Sequence, residues 1–154
     1  MNIEDLKSIL DAFDPGALLP EIDSLLGGLT GLMRIVLLAG PIVMLVLGLG
    51  YLFLAPKEAN YHFGYRCFFG MGSIEAWRYT QRMAGLIWTG LGLVLTVVMF
   101  FITGGYAAKP TAEVLSSALG CALWEAGLAV VACIVIHVLV GIHFTASGDR
   151  RLRK

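Results

Sequence analysis

Three stretches of this chain are almost free of charge, and nothing else in it narrows the fold so far. Residues 35–55 (IVLLAGPIVMLVLGLGYLFLA) and 83–104 (MAGLIWTGLGLVLTVVMFFITG) contain no Asp, Glu, Lys or Arg, and 114–148 contains only Glu125. About 20 apolar residues in a helix cross a hydrocarbon core of about 30 Å, where no water is present to satisfy an open backbone. The chain therefore reads as an all-α integral membrane protein with three transmembrane helices, at about 33–55, 82–104 and 119–143. Composition agrees: 58% of residues are hydrophobic and 14% charged, against about 25% charged in soluble domains.

The start, MNIEDLKSILDAFD, is acidic, whereas a cleaved secretory signal opens on basic residues. The first apolar run is thus expected to be retained. Ahead of it, Ile3, Leu6, Ile9, Leu10 and Phe13 follow helical spacing and predict a short amphipathic helix. Asp14-Pro15-Gly16 should stop that helix, and PEIDSLLGGLTG then leads toward the membrane. Residues 1–28 form an acidic N-terminal segment, either lying at the interface or serving as an outward-facing, partner-binding helix.

Lys and Arg set the orientation. Lys57, Arg66, Arg78 and Arg82 lie between the first two spans, and Arg150, Arg151, Arg153 and Lys154 follow the third. Only Lys7, Arg34 and Lys109 fall on the other side. By the positive-inside rule, the first loop and the basic tail 149–154 are cytoplasmic and the N-terminus is outside. The residues between, 29–148, make the helical membrane domain.

Small residues let membrane helices approach closely. Gly40, Gly48 and Gly50 in the first span are suited to this, and so are Gly85, Thr89, Gly92 and Thr96 in the second. Pro41 predicts a kink if helix continues through it. The third span carries an i, i+4 row of Cys121, Glu125, Ala129, Cys133, His137 and Gly141. A helical bundle, completed in one reading by a second copy of the chain, follows from this packing. Glu125 is an ionisable group within a span and a site candidate on that ground. His137 lies about 18 Å and His143 about 27 Å from it along the helix, so the three cannot converge on one metal. The cysteines show no ligand or disulfide spacing. We read no metal, cofactor, catalytic constellation or nucleic-acid surface in the chain.

The loop at 56–77 is the most specific segment. Ala55-Pro56 should end the first span, since proline lacks a helix donor. Asn60 and Gly64 suit turns. Tyr61, Phe63, Tyr65, Phe68 and Phe69 fit the headgroup level. Ser73 is a good N-cap with Glu75 in the first turn, so a helix should run from Ile74 into the second span.

The pattern PxxxNxxxGYR, then SxxxW and a helix with a glycine, resembles the SdpI/YfhL family of bacterial membrane proteins. Its positions here are Pro56, Asn60, Gly64, Tyr65, Arg66, Ser73, Trp77 and Gly85, while Cys67 stands where the family usually has threonine. The resemblance implies an immunity and signal-transduction protein of the bacterial plasma membrane, not an enzyme. Its partners would be membrane lipids, a secreted toxic peptide and a cytoplasmic repressor. Asn60, Tyr65, Arg66, Ser73, Trp77, Arg78, Arg82 and Glu125 are the partner- or ligand-binding candidates. Anchoring is the competing account of Arg66 and Trp77, with the arginine snorkelling to lipid phosphate. A second function class also stands: a small oligomeric transporter or channel in which Glu125 and Arg66 line a polar path.

Overall fold

The computed structural model describes residues 15–59 and 62–151, with side chains from residue 25 onward. Three long helices dominate: α1 (Pro15–Phe53), α2 (Ile74–Gly104) and α3 (Thr111–His143). All three contain stretches long and apolar enough to cross a membrane, over Leu25–Phe53, Ile74–Ala108 and Thr111–His143. Short 3₁₀ turns at Phe68–Met71 and Gly105–Ala108 flank α2. The three-span, all-helical expectation holds. The amphipathic helix expected before residue 14 lies outside the described residues.

α1 opens at Pro15, where a fixed φ and a missing amide are harmless because first-turn donors have no helical acceptor. The helix then runs unbroken through Gly27 and Gly28. With 39 residues it is about 58 Å long, nearly twice a bilayer core. It continues through Pro41 and stops at Phe53, two residues short of Ala55-Pro56. α2 begins as the sequence predicts. Ser73 is extended, its Oγ accepts from the Ala76 amide at 3.1 Å, and Glu75 sits in the first turn.

The most extensive packing is between α1 and α2. A Cβ on Gly92 would lie 2.5 Å from the Leu45 amide nitrogen, and one on Gly48 would enter the Thr89 backbone. A Cβ on Gly85 would meet the Leu52 side chain at 2.5 Å. Of the small residues expected to pack, Gly48, Gly85, Thr89 and Gly92 thus form the seam of this pair, whereas Gly40 faces Glu125 of α3 and Gly50 faces the Phe63 ring.

The i, i+4 row expected to pack on α3 is only partly the buried face. The buried residues are Val114, Ala118, Glu125, Ala132, Ile136 and Val140, whereas His137 is exposed. The reason is geometric: each step of four advances about 40° around a helix, so a strict row spirals off any one face. The observed set mixes fours and sevens and stays on it.

Two apolar clusters close the bundle. Cys67, Ala76, Ala84, Ile136, Val140 and Phe144 gather at the loop end. Leu37, Tyr106, Val114 and Ala118 gather at the other. The outer surface is apolar as well, with Val46, Phe53, Leu93, Phe101, Leu123 and Ile134 exposed, the covering that a lipid-facing bundle needs.

Beyond α3 the chain turns back. Phe144 bridges Arg150, the Thr145 amide donates to Asp149 O at 2.9 Å, and the Arg151 amide donates to His143 O at 2.9 Å. Gly148, at φ +85°, packs against the Gly72–Ser73 backbone. Ser73 Oγ donates to Gly148 O at 2.8 Å, and Arg150 pairs with Glu75 at 2.8 Å. The first part of the expected tail, through Arg151, is therefore docked on the start of α2. This docking puts the loop and the chain after α3 at one end of the bundle, as three spans require.

Candidate functional site

The loop between α1 and α2 is built around the first two turns of α2. Trp77 is fully buried, and its Nε1 donates to Pro56 O at 2.9 Å. Gly64 has φ +127°, and a Cβ there would lie 2.7 Å from the Trp77 ring. Both the backbone conformation and the space thus call for glycine. One turn further on, Gln81 fixes the Tyr65 backbone from both sides: it accepts from the Tyr65 amide at 2.8 Å and donates to Tyr65 O at 2.7 Å. Buried Thr80 donates to Ala76 O at 2.8 Å and lies beneath Gly70 and Cys67. The Cys67 thiol is 3.9 Å from Thr80 Oγ1, in a closed, packed site.

Tyr65 ties the loop to α1 and α3. Its ring meets Tyr51 edge-on with centroids 6.0 Å apart, and His137 at 5.8 Å. His137 Nδ1 lies 2.8 Å from Cys133 O and 3.3 Å from Tyr65 Oη. A carbonyl only accepts, so Nδ1 carries the proton and Tyr65 Oη receives a share of it. Tyr79 and His143 repeat the arrangement at 3.3 Å, with His143 Nδ1 2.8 Å from Leu139 O. Burial raises the Tyr65 phenol above its usual pKa, and the Cys133 side chain adds to the effect.

The structure sorts the sequence candidates into groups. Asn60 lies outside the described residues. Ser73 is occupied as the N-cap and as the donor to Gly148. Trp77, expected at a contact surface or in an aromatic belt, is instead enclosed as the post on which the loop rests. Arg66 is exposed and lines an open groove of about 480 Å³ with Phe68, Met71, His137 and Ala146. Arg78 and Arg82 line another groove with Lys57 and Tyr51, of about 590 Å³.

Glu125 joins neither group. It is 7% exposed, with Oε2 against Gly40 of α1 and no hydrogen-bond partner for Oε1 among the described residues. His137, which shares the Arg66 groove, is twelve residues and about 18 Å away along α3. Among the described residues, no three His, Cys, Asp or Glu side chains gather as a metal-ligand set.

Sequence reasoning missed Gln81, Lys57 and Gly148. Gln81 carried a signal: it lies four residues after Trp77, on the same helix face, where a span is about to begin. Gly148 carried none, because its partner Ser73 is 75 residues away.

No curated protein and no solved structure matches the chain significantly. The family comparison does. The sequence model of the SdpI/YfhL protein family matches residues 57–145, more than half of the chain and the part holding the loop, α2 and α3. The chain belongs to the SdpI/YfhL protein family, as a membrane protein with three apolar helices.

Proposed function

We propose that this protein is a non-catalytic immunity and signalling component of the bacterial plasma membrane, protecting its host from a secreted toxic peptide. In this reading the loop and the segment after α3 face the cytoplasm, and the peptide is met from outside or within the bilayer. The loop end then presents a surface to a cytoplasmic repressor.

The observation that carries the reading is the construction of the loop. Its backbone is clamped by Gln81, Trp77 and Ser73, while Arg66 stands exposed in a groove beside His137. A surface held at this many points is preorganised, which lowers the ordering cost of binding a partner. Anchoring alone requires an arginine at the right depth, not a fixed backbone beneath it.

The transporter reading draws on Glu125, a buried carboxyl within a span. It loses ground because the Arg66 groove and Glu125 lie about 18 Å apart along α3, and because Glu125 is packed against Gly40.

Survival tests the proposal. A sensitive host expressing the protein is challenged with the cognate secreted peptide. Wild type, Arg66→Ala and Trp77→Ala are compared at equal membrane abundance. Arg66→Ala should lose protection at wild-type abundance, whereas Trp77→Ala should lower abundance itself. Full protection by Arg66→Ala would remove the loop from the mechanism.

A further inference from the structure

Lys57, Arg78 and Arg82 converge on one groove although they come from two elements. Its volume is about 590 Å³. Tyr51, Leu52 and Phe53, the last turn of α1, form its apolar wall. Its lining includes no carboxylate, and the ion pair formed among the described residues is Arg150–Glu75 at the start of α2. Arg78 Nε donates to Lys57 O at 3.3 Å, which leaves the outer nitrogens of the guanidinium without an acceptor among the described residues. Gln81, already engaged with Tyr65, closes the floor.

The groove also sits at a defined depth. Phe53 and Leu54 are 78% and 74% exposed, as lipid-facing side chains would be, and the first charged residue after them is Lys57. On α2, Arg82 is the last charge before the uncharged run 83–104. One side of the groove thus adjoins the uncharged apolar runs and the other the charged loop, with three positive charges at the seam.

We infer that this groove is a binding site for the phosphate-bearing headgroup of an anionic phospholipid. The headgroup phosphate is held by Lys57, Arg78 and Arg82, and an acyl chain lies along Leu52 and Phe53. Arginine suits this role because its planar fork pairs with phosphate oxygens, while lysine adds a point charge. A soluble phosphate would use the cations but gain nothing from the apolar wall. An acidic protein segment would not require a site flush with the hydrocarbon boundary. The site is separate from the Arg66 groove, so it stands whether or not the immunity reading does.

Native mass spectrometry of the detergent-purified full chain tests this. Phosphatidylglycerol, phosphatidylcholine and inorganic phosphate are added separately at equal concentration. Wild type should retain phosphatidylglycerol far better than phosphatidylcholine, by about fivefold for each of the three cations, and should not retain phosphate. Arg82→Gln, which removes no hydrogen bond seen in the structure, should lose about fivefold of that preference, the usual contribution of one cation near an anionic lipid surface. The triple variant Lys57→Gln/Arg78→Gln/Arg82→Gln should abolish it, and Arg66→Gln should keep it. Equal retention of the two lipids by wild type overturns the inference and needs no variant to fold. Retention of phosphate as strong as that of the lipid overturns it too, as does an undiminished preference in Arg82→Gln.

Discussion

Gln81 closes both polar groups of the Tyr65 backbone with a single amide, so its loss leaves a donor and an acceptor without partners at once. Unsatisfied buried groups cost about 1–3 kcal/mol each, and Gln81→Ala should lower the thermal midpoint in detergent accordingly. Wild-type behaviour of Gln81→Ala would show that the loop is held elsewhere. Tyr65 itself gives a pH signature. Its phenol is raised in the folded protein by burial, so the unfolded chain releases its proton first, near pH 10. Stability from the neutral phenol is complete below about pH 10 and is lost as pH rises beyond it. Tyr65→Phe should flatten this alkaline loss, measured as unfolding midpoint against pH. Ser73 and Arg66 could be picked out in the sequence because an N-cap and a lone arginine among rings are local signals. Glu125 stood out equally, but its setting did not. Which residue of α1 faces it depends on how two helices cross, and no local pattern encodes that.

The packing of α1 against α2 and α3 predicts a graded response to added methyl groups. Gly48→Ala meets Thr89 backbone, which cannot swing aside, and should cost about 1–3 kcal/mol in unfolding free energy. Gly40→Ala meets the end of the Glu125 side chain at 2.8 Å, which can rotate, so its cost should be smaller. Combining it with Glu125→Ala should remove the remainder. Gly90 has nothing within 4 Å, and Gly90→Ala should be neutral or stabilise by about 0.5–1 kcal/mol through helix propensity. Equal effects at Gly48 and Gly90 would mean that the helices do not meet along this line. The length and polarity of the spans were legible because the bilayer imposes them directly. So was the seam on α2, where three-to-four spacing marks one face. The buried face of α3 was not, since several small residues lie on more than one side of that helix and only the partner selects among them.

At the loop end the molecule is closed by the segment after α3. Gly148→Ala would push a Cβ into the Gly72–Ser73 backbone at a positive φ, release the clip and expose the backbone beside Arg150 and Arg151. Trypsin should then cut there much faster than in wild type, while the helix content measured by circular dichroism stays near wild type. Unchanged cleavage would mean that the clip does not hold the segment. The family match covers much of this end: residues 57–145 contain Gly64, Tyr65, Ser73, Trp77 and Gln81. The closure also fixes an order of events during biosynthesis. The loop leaves the ribosome some 75 residues before Gly148 does, and Ser73 and Glu75 wait all that time for their partners. Until α3 has been inserted and the chain has turned back, the membrane holds two paired helices carrying an unfinished surface, so a translation product interrupted in the third span can be in the bilayer and still have nothing to present.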